Sequence, residues 1–171
     1  MIENNPNKNL GKEIQAFERK IKSLMNAQTL SDFALEGASI GTWILEIPTD
    51  LMTIDKNAEK ILEFNPKTNS EWNQYIHPDD IEKVNAFDIE ITSGKSQTFE
   101  SIYRIVTKSG KTKWIQDRGK TVQCDDKGKP TRTAGTICDI TERMKSEKKV
   151  KESQERIELA LWGANLGTWD Y

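Results

Sequence analysis

The sequence predicts an α+β fold in which five antiparallel strands and short helices form one domain, with a long helix flanking it on each side. Three observations predict this. Runs of strand character come first as a pair and later as a group of three, with helical patterns between them. Turn residues separate consecutive strands within each group, which makes those neighbours antiparallel. Both ends of the chain are rich in Lys, Glu, Arg and Gln, the alphabet of exposed helices.

Residues 1–9, MIENNPNKN, are polar and carry Pro6, which predicts a frayed tail. Leu10, Ile14, Phe17, Ile21, Leu24 and Gln28 then recur at alternating spacings of four and three, a heptad seam on a helix predicted over Leu10–Leu35. Such a helix either packs its apolar stripe on its own domain or pairs with a second copy of the chain. The continuity of the stripe favours the second, a parallel homodimer with Leu10, Ile14, Phe17, Ile21 and Leu24 at the seam.

From Gly41 the pattern changes. GTWILEI and LMTI flank a Pro48–Asp50 turn and predict a hairpin. Asn57–Phe64 and Trp72–Ile76 predict short helices, and Pro78–Ile91 a longer one. In the longer helix Asp79 and Asp80 stand in the first turn, where carboxylates offset exposed amide dipoles. Strands are predicted at Gln97–Val106, Lys113–Gln123 and Thr131–Asp139, joined by turns at Lys108–Lys111 and Asp125–Pro130. A second long helix is predicted over Thr141–Leu161. Val150, Ile157 and Leu161 share a stripe on it, which Ile140 and Met144 join only through a spacing slip; a stutter in a coiled coil and a solvated helix both fit.

Bulk properties exclude several functions. Charged residues make up 30% of the 171 and the net charge is −2, so the chain lacks the dense positive field that nucleic acid or an anionic membrane selects. No apolar run approaches the roughly 18 residues of a spanning helix. A soluble, cytoplasmic fragment is expected, with any membrane anchor elsewhere in a parent chain. Cys124 and Cys138 fall on neighbouring strands, opposite about residues 131 and 117, which predicts free thiols acting as small buried hydrophobes in a reducing compartment.

An internal repeat sets the organisation. ALEGASIGTW from Ala34 returns as ALWGANLGTW from Ala160, seven of ten positions identical at an offset of 126 residues. The expected layout is a tail and helix at 1–36, a domain at 37–141, a connector helix at 142–161 and the start of a second repeat at 162–171.

These motifs resemble PAS domains of the tandem type found in sensor histidine kinases and cyclic-dinucleotide signalling proteins. ALEGASIGTW resembles the entry to the first strand and YIHPDDIEKV the start of the long helix. FESIYRIVTKSGKTKWIQDRGK resembles the central hairpin, and AGTICDITERM the last strand with its Asp-Ile-Thr exit. The resemblance covers about Leu35 to Arg143. It implies an antiparallel sheet with helices on one face and a cleft between them. It also implies a sensory or relay module of a multidomain signalling protein, with a sensor kinase as parent. The alternative is a ligand-free dimerisation spacer in a tandem array or a diguanylate cyclase. One departure is Ile102, where the family often has a glutamate two residues before the arginine of the central strand.

Candidate cleft residues are Trp72, Ile76, Val84, Phe87 and Ile91 from the helices, with Tyr103, Ile105 and Ile115 opposite; the other interpretation is a filled core. Arg104 with Asp117, and Arg118 with Asp139, are expected as ion pairs, and Arg118, Asp139, Ile140 and Thr141 as the relay to the exit helix. His77 precedes a helix and is read as a cap. The sequence has no Asn-Cys-Arg motif of photoactive flavin domains, no haem-ligating histidine within the long helix and no zinc ligand set, so a colourless protein is expected. Gly110, Gly128, Asp125 and Asp126 belong to turns. No nucleophile, carboxylate pair or kinase core is assembled, so no catalytic residue is assigned and catalysis is expected in a downstream effector of the parent chain.

Overall fold

The computed structural model describes the backbone of residues 6–166 and the side chains of residues 13–162. The chain divides into two units, the first ending at Ser39 and the second starting at Ile40. The first unit is one helix, α1 (Pro6–Gly37). It begins four residues before Leu10, inside the stretch expected to fray, because proline suits the first turn of a helix, where its missing N–H has no partner to lose. Ile14, Phe17, Ile21 and Leu24 are 51, 68, 43 and 61% exposed, and the side chain of Leu10 lies outside the described residues.

The second unit holds strands β1 (Ile40–Glu46), β2 (Leu51–Ile54), β3 (Thr98–Val106), β4 (Thr112–Cys124) and β5 (Pro130–Asp139). Between them lie helices α2 (Lys56–Leu62), α3 (Asn69–Asn73) and α4 (Ile81–Thr92), and α5 (Thr141–Leu166) follows. The strands form a single antiparallel sheet in the order β2-β1-β5-β4-β3. Alternation decides its faces. Trp43 and Leu45, Ser101, Tyr103 and Ile105, Ile115 and Asp117, and Thr133 and Ile137 all point inward. They meet Ala58, Ile61, Leu62, Trp72 and Val84 from the helices in one core, so α2, α3 and α4 cover the same face of the sheet.

Caps fix the helices locally. The Asp55 carboxylate accepts from Ala58 N at 2.7 Å to open α2, and Thr68 Oγ1 accepts from Glu71 N at 3.0 Å to open α3. The second cap moves α3 three residues ahead of the expected Trp72–Ile76. The chain after Asn73 pairs with the edge of β3 instead: Ile76 bridges Ile105, His77 N donates to Arg104 O at 2.9 Å and Val106 N to Tyr75 O at 2.7 Å. The expected Pro78–Ile91 helix is a 3₁₀ turn, Pro78–Asp80, running into α4.

Gly110 and Gly128 adopt φ of 81° and 78° in the expected turns, and Asp125 Oδ1 accepts from the N–H of Lys127 and Lys129 at 2.9 Å each. Both cysteines are free, but neither is the buried hydrophobe expected. Cys124 is exposed at an end of β4 where the register slips, and Cys138 alternates onto the outer face beside Ile137. Residues 162–166 continue α5, and the rest of the expected second repeat, Gly167–Tyr171, lies outside the described residues.

Candidate functional site

The inner face of the sheet carries a buried acid. Asp117 of β4 accepts from Trp43 Nε1 at 2.9 Å on one oxygen and from the Tyr103 hydroxyl at 2.9 Å on the other. Burial pushes its carboxyl up to about 7, although both hydrogen bonds oppose that shift, and the nearby Asp88 adds to it. The Tyr103 phenol is also raised, by burial first and then by the Asp117 charge.

A pair of glycines makes this arrangement sterically available. Gly119 of β4 and Gly135 of β5 stand directly opposite each other. A Cβ on Gly135 would lie 2.5 Å from the Trp43 ring and against the Arg118 carbonyl; one on Gly119 would lie 2.8 Å from the same indole and against Phe99. With no side chain at either position, the Trp43 indole lies across β5, its nitrogen reaches β4, and Phe99 stacks on it with centroids 5.9 Å apart.

Beside Asp117 is a cavity of about 40 Å³. Its lining includes Trp43, Trp72, Val84, Phe87, Asp88, Ile91, Phe99, Ser101 and Tyr103. Asp88 of α4 accepts from Asn69 Nδ2 at 3.1 Å, and burial raises its carboxyl too. Ser101 is 5% exposed and its hydroxyl has no hydrogen-bond partner.

Five of the cleft residues expected from sequence, Trp72, Val84, Phe87, Ile91 and Tyr103, line this cavity. Ile76, Ile105 and Ile115 are buried in the core but do not line it. The polar members, Asn69, Asp88, Thr92, Ser101, Asp117 and Thr133, were missed, as were Trp43, Leu45, Met52 and Phe99. Some of their signals were present. Asp88 completes the stripe Val84, Phe87, Ile91 at helical spacing, and Ser101 and Asp117 share the strand parity of Tyr103 and Ile115.

Both expected ion pairs are corrected. Arg104 faces away from Asp117: its cross-strand neighbour is Trp114, whose ring lies 5.4 Å from the guanidinium, whereas Asp117 stands opposite Ser101 on the inner face. Arg104 grips the Pro78–Asp80 turn instead, through Nε to Asp80 at 2.9 Å and Nη2 to Asp80 and Asp79 at 2.8 and 3.1 Å. These bonds hold the Asp80 carboxyl below its usual range. His77 caps the turn, its Nδ1 accepting from Asp79 N at 3.3 Å. Arg118 pairs with its direct neighbour Glu100 at 2.8 Å, because Asp139 lies three positions further along β5 than Thr136, the residue opposite Arg118.

The exit from the sheet is clamped to β4. Ile140 N donates to Trp114 O at 2.9 Å, and Trp114 N donates to Thr141 Oγ1 at 3.0 Å. Thr141 returns its backbone N–H and its hydroxyl to Asp139 Oδ1 at 2.9 and 2.5 Å. Lys113 reaches Ile61 O at 2.6 Å, Glu63 at 3.3 Å and Asp139 at 3.9 Å, tying the end of α2 to the same exit. The Ser109 hydroxyl, then Lys113 and Thr107, hold the Glu63 carboxyl down to about 2.

Comparison with known proteins agrees with this geometry. Residues 51–137, just over half of the chain, match the PAS fold family. The chain belongs to that family. It is 29% identical over 141 residues to a blue-light-activated histidine kinase of Brucella ovis, covering 76% of this chain and 26% of the kinase. It is 30% identical over 95 residues to a methyl sulfide methyltransferase-associated sensor of Methanosarcina acetivorans, covering 56% of this chain and 9% of the sensor. Among solved structures, a sensory box histidine kinase/response regulator from Burkholderia thailandensis superimposes with a TM-score of 0.63 at 30% identity, over 74% of this chain and 96% of that one. The N-terminal domain of a diguanylate cyclase with a PAS/PAC sensor from Marinobacter aquaeolei gives 0.56 at 25% identity, over 61% and 98%. The PAS chain thus spans about a quarter or less of the curated relatives it matches.

Flavin photochemistry does not fit the residues of this PAS domain. Neither Cys124 nor Cys138 lines the cavity, and about 40 Å³ is far below the roughly 300 Å³ or more of ordinary cofactor pockets. Among the described residues no group of three His, Cys, Asp or Glu side chains is placed to hold a metal ion. None of the described helices is long and apolar enough to cross a membrane.

Proposed function

We propose that this PAS domain is a sensory relay module of a larger signalling protein, a sensor histidine kinase, and that β4 carries the state of the cavity to α5. The supporting observation is continuity. Asp117 lines the cavity, Trp114 stands three residues away on the same strand, and both backbone groups of Trp114 bind the exit segment Ile140–Thr141. Asp139, Ile140 and Thr141 are the relay residues; Arg118 has no part in it, since its partner is Glu100. Catalysis belongs to an effector elsewhere in the parent chain. In this reading the α1 seam, Leu10, Ile14, Phe17, Ile21 and Leu24, pairs two chains in parallel, so that both present α5 to the effector from the same side.

Two methionines make the relay measurable. Met52 is buried in the cavity wall, and Met144 stands in the first turn of α5, its N–H bonded to Ile140 O at 2.9 Å. In ¹³C-methyl-methionine spectra, Asp117→Asn is expected to shift both methyls, and the same change in a Thr141→Val background to shift Met52 as before and Met144 less, since only the Ile140 N–Trp114 O bond then joins β4 to the exit. A Met144 response that survives undiminished removes the Thr141 hydroxyl from the relay. The smallness of the cavity, about 40 Å³, favours a second reading, a ligand-free spacer. Native mass spectrometry separates the two, since a stoichiometric small molecule supports the sensor.

A further inference from the structure

The cavity wall holds buried polar groups whose hydrogen bonding the fold leaves incomplete. Asp117 receives one donor on each oxygen, Asp88 receives Asn69, and the buried Ser101 hydroxyl has no partner. Ser101 stands directly opposite Asp117 across β3 and β4, so the orphan hydroxyl and the acid are side by side on the cavity wall. Asp88 of α4 lines the same cavity as Asp117. Around these polar groups the wall is apolar, and Trp43, Trp72, Phe87 and Phe99 make it rich in aromatic rings.

Each feature selects the same ligand chemistry. Two carboxylates facing one enclosed space are relieved by a positive charge, and their free lone pairs call for N–H donors. Ring faces attract a cation and cover its alkyl part. A cavity of about 40 Å³ has room for roughly three waters, which limits the guest to a few non-hydrogen atoms. A hard divalent metal is the wrong guest, because it needs about six oxygen ligands and no three acidic side chains among the described residues are arranged to hold one. Water satisfies the Ser101 hydroxyl but leaves the carboxylates, once ionised, uncompensated.

We propose that the cavity binds a small primary ammonium ion, of a size between methylammonium and ethanolammonium, with Asp88, Asp117 and Ser101 accepting its N–H groups. This deepens the sensory reading by naming its ligand class, and it rests on that reading for the consequence at α5.

The test uses the full chain, ¹³C-methyl labelled at methionine, at pH 8 in phosphate, because Tris is itself a primary ammonium. Ethylammonium chloride is titrated against sodium chloride of equal ionic strength, with calorimetry for binding and the Met52 and Met144 signals for response. The expected result is saturable one-to-one binding at about millimolar or tighter. Asp88→Asn and Ser101→Ala, each confirmed folded by its melting curve, are expected to weaken it about tenfold or more. Ethanol and tetramethylammonium, which lack the charge or the N–H donors, are expected not to compete. Absence of heat beyond the sodium control, equal binding of ethanol, or undiminished binding by Asp88→Asn overturns the proposal. The two readings fail separately. If no ammonium binds while Asp117→Asn still moves both methyls, the ligand class falls and the relay stands. If ethylammonium binds and shifts Met52 alone, the ligand class stands and the relay falls.

Discussion

Replacing Asp117 by Asn isolates the cost of its buried charge. The carboxamide oxygen still accepts from Trp43 Nε1, whereas its N–H₂ faces the Tyr103 oxygen and leaves the buried phenol hydrogen without its present acceptor, a cost that does not vary with pH below the phenol's titration. The pH dependence of the difference between variant and wild type therefore reports the titration alone. The carboxyl rises from its usual 3.8 to about 7 on folding. Below the lower value both states hold the proton, and above the upper value neither does. Between them the folded state binds a proton that the unfolded state has released, so stability falls as pH rises, by about 1.4 kcal/mol per pH unit. Across the whole window the loss is roughly 4 kcal/mol. Asp88, raised in the same direction, is present in both proteins and cancels to first order in their difference. Urea unfolding of wild type and Asp117→Asn at pH 5, 6, 7 and 8 is the assay. The variant is expected to gain on wild type by about 2–3 kcal/mol between pH 5 and pH 7, and the gain to level off above pH 7. A difference that stays constant within about 0.5 kcal/mol over that range refutes a buried acid titrating near neutrality.

Other outcomes follow from the same contacts. Gly135→Ala puts a Cβ 2.5 Å from the Trp43 ring and against backbone at Arg118, so it is expected to destabilise by about 1–3 kcal/mol or more and to shift Trp fluorescence; an unchanged urea midpoint removes the indole from the glycine floor. Arg104→Ala removes the side-chain grip on the Pro78–Asp80 turn and leaves the bond from the Arg104 backbone N–H to Asp80 at 2.8 Å. It is expected to lower Tm and speed amide exchange at His77 and Val106, and unchanged exchange there means that the bonds to the β3 backbone hold the turn without the guanidinium. Ile14→Asp with Ile21→Asp is expected to convert a dimer to a monomer by light scattering. A wild type that is monomeric at about 100 μM, or a double variant that stays dimeric, removes this seam as the interface. Its basis is the burial of five apolar side chains per chain, at about 1.5–3 kcal/mol each.

The order, type and approximate limits of the elements are legible in the amino-acid pattern, because those follow from local causes. LMTI reads as a strand and is one at Leu51–Ile54; Asp-Ile-Thr reads as the end of a strand, and α5 does start at Thr141. Turn glycines, caps and side-chain alternation all act over a few residues, so they are legible without the fold. The apolar half of the cavity was legible for the same reason, since Val84, Phe87 and Ile91 show their common face by spacing alone. Tertiary structure decided which polar groups meet. Trp43 and Asp117 are 74 residues apart in sequence, and Arg104 and Asp80 are 24 apart. Nothing local links either pair. Their contact depends on strand order, on a register in which a slip of one residue turns a side chain to the opposite face, and on two facing glycines that let an indole cross a strand. Charge complementarity in the sequence suggested Arg104 for Asp117, but the fold placed them on opposite sides of the sheet, leaving the acid inside, where low polarity raises its pKa.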